Sequence, residues 1–289
     1  MIKFTRHYRA STLFIGLYLF VSLAFAQSII YSELQNGNWE LVHHNVTEST
    51  RNVLFSSPEK DFQSDYSQKN GLLIFDSYRD NNTRNLFTAN LESDTPKQIT
   101  DLDSRDGHPV WSSDGTMVAF QSMRDGNPEV YLMKSDGSEV QRVTKSEGFD
   151  GIPKWSPDQK HLAFNSSRSG NPGIYLYNIE SKEEQPILVD DHRNFVQDWL
   201  SNTSLLITST ESGMQKLYSL ELRTMEKTLI NTVYEVTYAR TNADKSSIVF
   251  TCLVESGKSV VYIRDLASGS VKSVTDNATE RRFPTFITN

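Results

Sequence analysis

The sequence has little of what most enzyme families need. Its 289 residues include one cysteine, Cys252, so no disulfide can form within the chain. It contains no complete Gly-x-Ser-x-Gly, His-Glu-x-x-His, phosphate-loop or Cys-x-x-Cys motif. These absences argue against the common designs of serine hydrolases, zinc proteases, nucleotide hydrolases and thiol oxidoreductases. They favour a protein that binds rather than catalyses.

Positive charge and helical periodicity are also scarce. The chain has 29 Lys and Arg against 36 Asp and Glu, a net charge of -7, and no cluster of basic residues. An acidic surface repels phosphate backbones, so we expect no nucleic-acid partner. After residue 26 no segment shows the apolar spacing of an amphipathic helix, which predicts an all-β protein.

The N-terminus has the pattern of a secretory signal peptide. Three basic residues, Lys3, Arg6 and Arg9, precede the uncharged apolar run from Leu13 to Phe25, and the run closes on an Ala-x-Ala end at Ala26. The alternative is a retained membrane anchor, but the run is shorter than the roughly 20 apolar residues that span a bilayer. We predict residues 1–26 as a signal peptide cut after Ala26. The mature protein would then be periplasmic or secreted, with no stable transmembrane segment.

What the sequence does contain is an internal repeat of about 44 residues. One position near the start of each unit, which we call the marker, is aromatic in most units and recurs at spacings of 45, 44, 44, 42 and 45. A fixed period of this length indicates a tandem array in which each unit is one supersecondary structure. The markers are Tyr66, Trp111, Trp155, Trp199, Thr241 and Phe286.

Each unit has the pattern of four short strands separated by turns. In the unit that contains Trp111, the apolar segments "TMVAFQS", "EVYLM" and "VQRVT" follow the marker, separated by Asp-Gly turns that suit tight hairpins. Four-stranded units of 40 to 45 residues are typical of β-propeller blades. We therefore predict a single all-β domain over residues 27–289, a six-bladed propeller with four-stranded antiparallel blades.

The two ends of the chain are predicted to share one blade. The first unit begins with its second strand, whereas the last residues, "RRFPTF" at 281–286, resemble the first strands "GHPVW" and "GIPKW" of other units. A strand at about 282–287 should therefore complete the N-terminal blade. We also expect residues 46–65, which are polar and loosely patterned, to form a long connection between the first two blades.

Two units, Pro109–Thr144 and Pro153–Leu188, resemble the WD40-like (PD40) repeat of the TolB-type propellers. They show Pro-x-Trp-Ser, an apolar strand, Ser-x-Arg, an aromatic strand and a final Thr or Leu. The resemblance implies a six-bladed propeller exported to the bacterial periplasm that docks other envelope proteins. Because the repeat starts close to the predicted cleavage site, we expect the N-terminal domain of TolB itself to be absent.

The candidate site lies where the six first strands begin. Counting five residues back from each marker gives polar side chains in most units, and other polar residues lie beside them. Such residues would converge at one mouth of the central channel and form a binding site, or they would cap turns and receive backbone hydrogen bonds. The predicted binding residues are Asp61, Asp106, His108, Asp150, His192, Asn194, Glu235 and Arg281.

We expect no cofactor at this mouth, with one exception. Asp61, Asp106 and Asp150 could together supply the oxygen ligands that Ca²⁺ prefers. Three arginines, Arg79, Arg124 and Arg168, also recur with the period and are predicted to bind the acidic loop of a neighbouring blade.

Two functions remain open from the sequence. The first is a non-catalytic propeller that binds an envelope or secreted protein through one mouth. The alternative is a carbohydrate-binding or carbohydrate-active propeller, of lyase or hydrolase type, that uses the central funnel.

Overall fold

The computed structural model describes residues 28–79, 83–92, 95–100, 105–230 and 234–287. The predicted signal peptide lies outside these residues. The described chain folds into 24 strands, which form six four-stranded antiparallel sheets. The all-β class and the six-bladed propeller are therefore confirmed.

The strands are numbered β1–β24 in chain order, and each blade runs from its innermost to its outermost strand. Blade 1 contains β24 (Arg281–Ile287), β1 (Ser28–Gln35), β2 (Asn38–Asn45) and β3 (Thr50–Leu54). Blade 2 contains β4 (Asp61–Ser67), β5 (Leu72–Ser77), β6 (Asn85–Asn90) and β7 (Lys97–Gln98). Blade 3 contains β8 (Gly107–Trp111), β9 (Met117–Ser122), β10 (Glu129–Lys134) and β11 (Gln141–Arg142).

The other three blades repeat this order. Blade 4 contains β12 (Asp150–Trp155), β13 (His161–Ser166), β14 (Gly173–Asn178) and β15 (Glu184–Leu188). Blade 5 contains β16 (Asn194–Ser201), β17 (Ser204–Ser209), β18 (Lys216–Glu221) and β19 (Lys227–Leu229). Blade 6 contains β20 (Glu235–Thr241), β21 (Ser247–Leu253), β22 (Ser259–Asp265) and β23 (Val271–Ser273).

The C-terminal strand closes the ring, as predicted. Strand β24 pairs antiparallel with β1, so that Phe286 lies opposite Ile29 and Ile287 lies opposite Ser28. It also packs between the innermost strands of its two neighbours, β20 and β4. Closure in this way pairs the inner edge of β1 and joins the two ends of the described chain in one sheet.

The hydrophobic core lies between the blades. Each of the six core clusters combines buried side chains of two neighbouring sheets. The cluster between blades 4 and 5, for example, packs Trp199 against Ala163 and Leu205, and Trp199 also donates its indole N–H to the Lys154 carbonyl at 3.0 Å. A blade alone would expose these faces to water, which is why the unit must repeat until the ring closes.

The segment 46–65 is not one long connection, and this prediction was wrong. It contains β3 and the beginning of β4, so only residues 55–60 link the two blades. Strand β3 is the outermost of its blade, and four of its five residues are exposed. It therefore lacks the buried apolar positions that identify a strand from sequence.

Candidate functional site

The residues predicted from the repeat do lie at one end of the ring. Most of the residues five before a marker are the first residues of innermost strands, and Asp106 directly precedes β8. We call this the starting end of the channel, because all six innermost strands begin there. The predicted residues that begin innermost strands are Asp61, Asp150, Asn194, Glu235 and Arg281.

The three aspartates at the starting end are fully buried, and each binds an arginine. The ion pairs join Asp61 to Arg79 at 2.7 Å, Asp106 to Arg124 at 3.2 Å, and Asp150 to Arg168 at 2.5 Å. In every case the two residues belong to the same blade, because the arginine follows the second strand of the sheet whose innermost strand carries the aspartate. The prediction that these arginines bind a neighbouring blade was therefore wrong.

Blade 3 shows why this pairing recurs. The Arg124 guanidinium lies 5.2 Å from the centroid of the Phe120 ring and 4.8 Å from that of Tyr131, and its Nε donates to Ser122 Oγ at 2.8 Å. The aromatic rings and the Asp106 carboxylate thus hold the arginine on several sides. The arrangement is a structural clamp that repeats in blades 2 and 4.

These clamps do not suit a calcium ion. Burial raises the pKa of Asp61 to about 6 although Arg79 opposes it, and burial also raises the pKa of Asp150. One carboxylate oxygen of each has no hydrogen-bond partner in the described chain, but no group of three acidic, histidine or cysteine side chains lies close enough there to bind a metal. Each aspartate is paired with the arginine of its own blade, and the calcium site remains an untested prediction.

The other predicted residues are spread over this end rather than gathered. His108 lies inside the channel, where its Nε2 is 3.3 Å from Gln63 Nε2. Burial, and then the charges of Arg84 and Lys154, hold the pKa of His108 well below its ordinary value. His192 lies in the loop before β16, where its backbone N–H donates to Asp190 at 2.9 Å.

Asn194 and Arg281 also have local partners. The Asn194 amide donates to Asp190 Oδ1 at 2.7 Å, and the buried Arg281 donates to Glu33 at 2.7 Å within blade 1. Glu235, at the start of β20, is half-buried. The starting end is thus held together by contacts within or close to each blade.

A cavity lies at the opposite end of the channel, where the innermost strands finish. It has a volume of about 400 Å³, and all six blades contribute to its walls. Its charged lining residues are Asp65, Lys69, Asp198, Arg240 and Lys245, and its aromatic ones are Tyr66, Trp111, Trp155 and Phe286. None of the binding residues predicted from the sequence lines this cavity.

One layer of this channel is formed by the residues directly before the six markers, and we call it the channel ring. Four of its six members are charged, although the surrounding strands are largely buried. Charged residues at an inner position are costly unless they are paired or serve a function. A register four residues further along the repeat would have revealed this pattern in the sequence. The members are Asp65, Val110, Lys154, Asp198, Arg240 and Thr285.

The two carboxylates of the channel ring are well satisfied. Asp65 forms an ion pair with Arg240, which lies on the other side of blade 1. It also accepts a hydrogen bond from the backbone N–H of Trp111 at 2.8 Å. Asp198 accepts hydrogen bonds from the backbone N–H of Trp199 at 2.8 Å and from the backbone N–H and the hydroxyl of Thr241, both at 2.9 Å. Apart from the bond within β16 between Trp199 and Asp198, these contacts join different blades, in contrast to the clamps at the starting end.

The charged residues at the finishing end also shift one another's pKa values. Burial opposes the ionised form of Asp198, but Lys245, Arg240 and Lys154 lower its pKa to about 2. Burial likewise opposes the charge of Arg240, and Asp65 raises the pKa of Arg240 above its ordinary value. Both residues are therefore charged throughout the physiological range.

Lys154 is the exception in the channel ring. Its side chain is 3 % exposed, and its ammonium has no hydrogen bond or ion pair with any residue that the structure describes. Its described contact is the face of the Tyr238 ring, 5.4 Å from Nζ to the centroid. Burial, and then the positive charge of Arg240, lower the pKa of Lys154 to about 7.

Within the described ranges, no helix is long and apolar enough to cross a membrane. The architecture and the channel define the class of protein as a six-bladed propeller with a polar channel and a cavity at one end. The profile of the TolB beta propeller domain matches residues 21–150 and 124–236. The chain belongs to this family, which confirms the resemblance found in the repeats.

Solved structures share the fold at low sequence identity. TolB from Acinetobacter baumannii superposes with a TM-score of 0.81 at 18% identity, over 91% of this chain and 67% of that one. The putative TolB from Agrobacterium tumefaciens gives 0.71 at 17% identity, over 91% and 99%. An oligogalacturonate lyase in complex with manganese gives 0.59 at 15% identity, over 82% and 73%.

Among curated proteins, dipeptidyl-peptidase 5 of Porphyromonas gingivalis is 44% identical over 48 residues. This match spans 17% of the present chain and 7% of the peptidase. It is therefore a likeness between repeats and carries no information about peptidase activity.

Proposed function

We propose that this chain is an exported, non-catalytic propeller that docks a partner protein in the bacterial envelope. The observation that carries the proposal is the cavity at the finishing end, where all six blades surround a ring of buried charges. Placing so many charges there for stability alone would be unusual, since apolar residues could fill the same positions at lower cost. Membership of the TolB propeller family and the predicted signal peptide support the export and the docking role.

The rim of the cavity is suited to recognition because it is rigid. It consists of the tight turns that follow the innermost strands, and turn residues such as Gly115 have a positive φ of 72°. A Cβ atom at position 115 would lie 2.8 Å from Ser67 Oγ, so the turn has no room for a side chain there. The backbone carbonyl of Gly115 accepts a hydrogen bond from the Asn70 side-chain amide at 3.1 Å. Neighbouring turns therefore support each other, and a preorganised rim loses little entropy when a partner binds.

Site-specific photocrosslinking in the native envelope tests the docking proposal. A photoreactive amino acid replaces Gln68 or Ala243, two exposed rim residues in different blades, and Lys272 on the outer strand β23 serves as the control. We expect both rim positions to capture the same protein and the control position to capture none. Capture that is equal at all three positions, or absent at the rim, would refute docking at this end.

A carbohydrate-binding or carbohydrate-active propeller is the second candidate. The observation that favours it is the shared fold with an oligogalacturonate lyase, together with the cations Lys69, Arg240 and Lys245 in a cavity that could receive an acidic sugar. Incubation of the purified protein with oligogalacturonate, followed by ultraviolet detection of unsaturated products, tests the lyase form. Replacing Asp106 or Asp150 would not be a clean test, because both are buried partners of arginines.

A further inference from the structure

The amino group of Lys154 is a buried cation without a protein counter-ion of its own. The charged and titratable groups around it come from four innermost strands: Asp65 of β4, His108 of β8, Asp198 of β16, and Tyr238 and Arg240 of β20. Asp65 already pairs with Arg240, and Asp198 lies 4.0 Å from Lys245 and accepts three hydrogen bonds. Because both carboxylates are bound by other residues, Lys154 has no counter-ion among the described residues.

Lys154 does not itself line the cavity, but it directly precedes Trp155, which does. Two uncharged donors of the cavity wall also lack a partner. Trp199 donates its indole N–H to a carbonyl, but the buried indole N–H groups of Trp111 and Trp155 have no acceptor in the described parts of the chain. Both of these tryptophans line the cavity. Buried donors without acceptors are rare in folded proteins and indicate a missing partner. The cavity thus has spare donors, while the carboxylates of the channel ring are occupied.

We infer that the finishing end of the channel binds a single carboxylate group, presented by the partner protein as an acidic side chain or C-terminus, whose oxygens pair with the Lys154 ammonium. The inference rests on the proposed docking function and specifies its chemistry. A monoanion fits better than a phosphate dianion, because Asp65 and Asp198 lie close to Lys154 and would repel a second negative charge. The negative net charge of the chain away from this point favours a partner whose acidic group is isolated.

The test uses the complete protein with isotope-labelled lysine and acetate as the probe. The side-chain NMR signals of Lys154, assigned by their loss in Lys154→Met, are titrated with pH at constant ionic strength, with and without acetate. Saturating acetate should move the titration midpoint of Lys154 upward, by about one pH unit for a tenfold preference for the protonated amine. Acetamide, which has the same shape without the charge, should leave it in place.

A matched variant separates this site from general charge effects. Lys145→Met removes the same charge from the exposed loop that precedes β12 at the starting end, so acetate binding should persist. Lys154→Met should abolish it while far-UV circular dichroism stays unchanged. An unmoved midpoint in the wild type, an equal effect of acetamide, or acetate binding that survives in Lys154→Met would overturn the inference. The wild-type titration decides the question even if the variant fails to fold.

The source of the carboxylate is tested separately. A glutamate capped at both ends should reproduce the effect of acetate, whereas binding of galacturonate alone would reject a protein source. In the envelope, Lys154→Met should weaken crosslinking at Gln68 at least tenfold, while Lys145→Met should not. If Gln68 captures no protein in the wild type, the docking function fails, yet the acetate titration still decides whether the channel binds a carboxylate. If capture persists in Lys154→Met, docking stands and the carboxylate inference fails.

Discussion

The two ends of the channel use charge in opposite ways. At the starting end, each buried aspartate binds an arginine of its own blade, as Asp106 binds Arg124, and aromatic rings cover the pair. At the finishing end, the contacts join different blades, as Asp65 joins Arg240, and Lys154 is left without a partner in the described chain. Paired charges within a repeat unit stabilise that unit, whereas unpaired charges shared by the whole ring are available to a ligand. The aspartate–arginine pairs that recur in blades 2, 3 and 4 therefore have a structural explanation.

The largest effect is expected from breaking a clamp at the starting end. Arg124→Met removes the arginine that binds the buried Asp106 carboxylate, and removing one member of a buried pair typically costs about 3–5 kcal/mol of unfolding free energy. Urea denaturation measures this loss. The control is Arg105→Met, since Arg105 is exposed, and a similar loss in both variants would show that the clamp is not structural.

A smaller effect is expected from the pair that joins blades across the ring. A double-mutant cycle with Asp65→Asn and Arg240→Met should give a coupling free energy of about 1–3 kcal/mol, because the two side chains are in contact and largely screened from water. The exposed pair Lys134 and Glu139 is the control and should show far weaker coupling. Equal coupling in the two cycles would contradict a desolvated contact in the channel.

Replacing the unpaired Lys154 with an uncharged residue is expected to stabilise the protein by an amount that depends on pH. Lys154 has a pKa of about 7 in the folded protein, against about 10.4 for an unfolded chain, so between these values the unfolded state binds more protons. Wild-type stability therefore rises with pH across this window, and the full cost of the buried ammonium is present below it. Lys154→Met should be more stable than wild type by on the order of 2 kcal/mol near pH 6.

This advantage should shrink as the pH rises through about 7 towards about 10, because the wild-type amine is then neutral when folded. Urea denaturation of both proteins at several pH values measures the difference. A variant that is less stable than wild type near pH 6, or an advantage that does not change with pH, would show that Lys154 is not an uncompensated charge.

The smallest effect distinguishes two tryptophans of the same repeat position. Trp199→Phe removes the indole N–H that donates to the Lys154 carbonyl, and the hydrogen bond contributes about 1 kcal/mol in addition to packing. Trp155→Phe removes an N–H without an acceptor in the described chain, and Trp155 is only partly buried. Trp199→Phe should therefore lower Tm more. Equal losses would mean that Trp155 also makes a stabilising hydrogen bond.

The sequence was informative wherever the repeat itself carried the signal. Markers such as Trp111 and Trp155 predicted the blade number and the positions of the innermost strands, because the same packing between blades recurs in each unit. The copy of the first strand at residues 281–286 predicted ring closure for the same reason. The exposed strand β3 was missed, since its polar residues leave no periodic pattern.

The candidate site was harder to predict. The polar residues five before the markers recur most regularly, and regularity was interpreted as convergence on one site. In the folded ring, however, Asp61, Asp106 and Asp150 each form an ion pair with the arginine 18 residues later in the same blade. Charges such as Lys154 and Asp198 differ in sign from unit to unit, so the repeat conceals them, although they face a common channel.

The sequence by itself determined the propeller: its period, its strands and the meeting of its ends follow from apolar spacing and turn residues, which act locally and repeat. Only the tertiary structure decided which polar residues are bound and which are free. That choice depends on how side chains from different blades meet in the channel, where a separation of a few ångströms determines whether a buried charge finds a counter-ion.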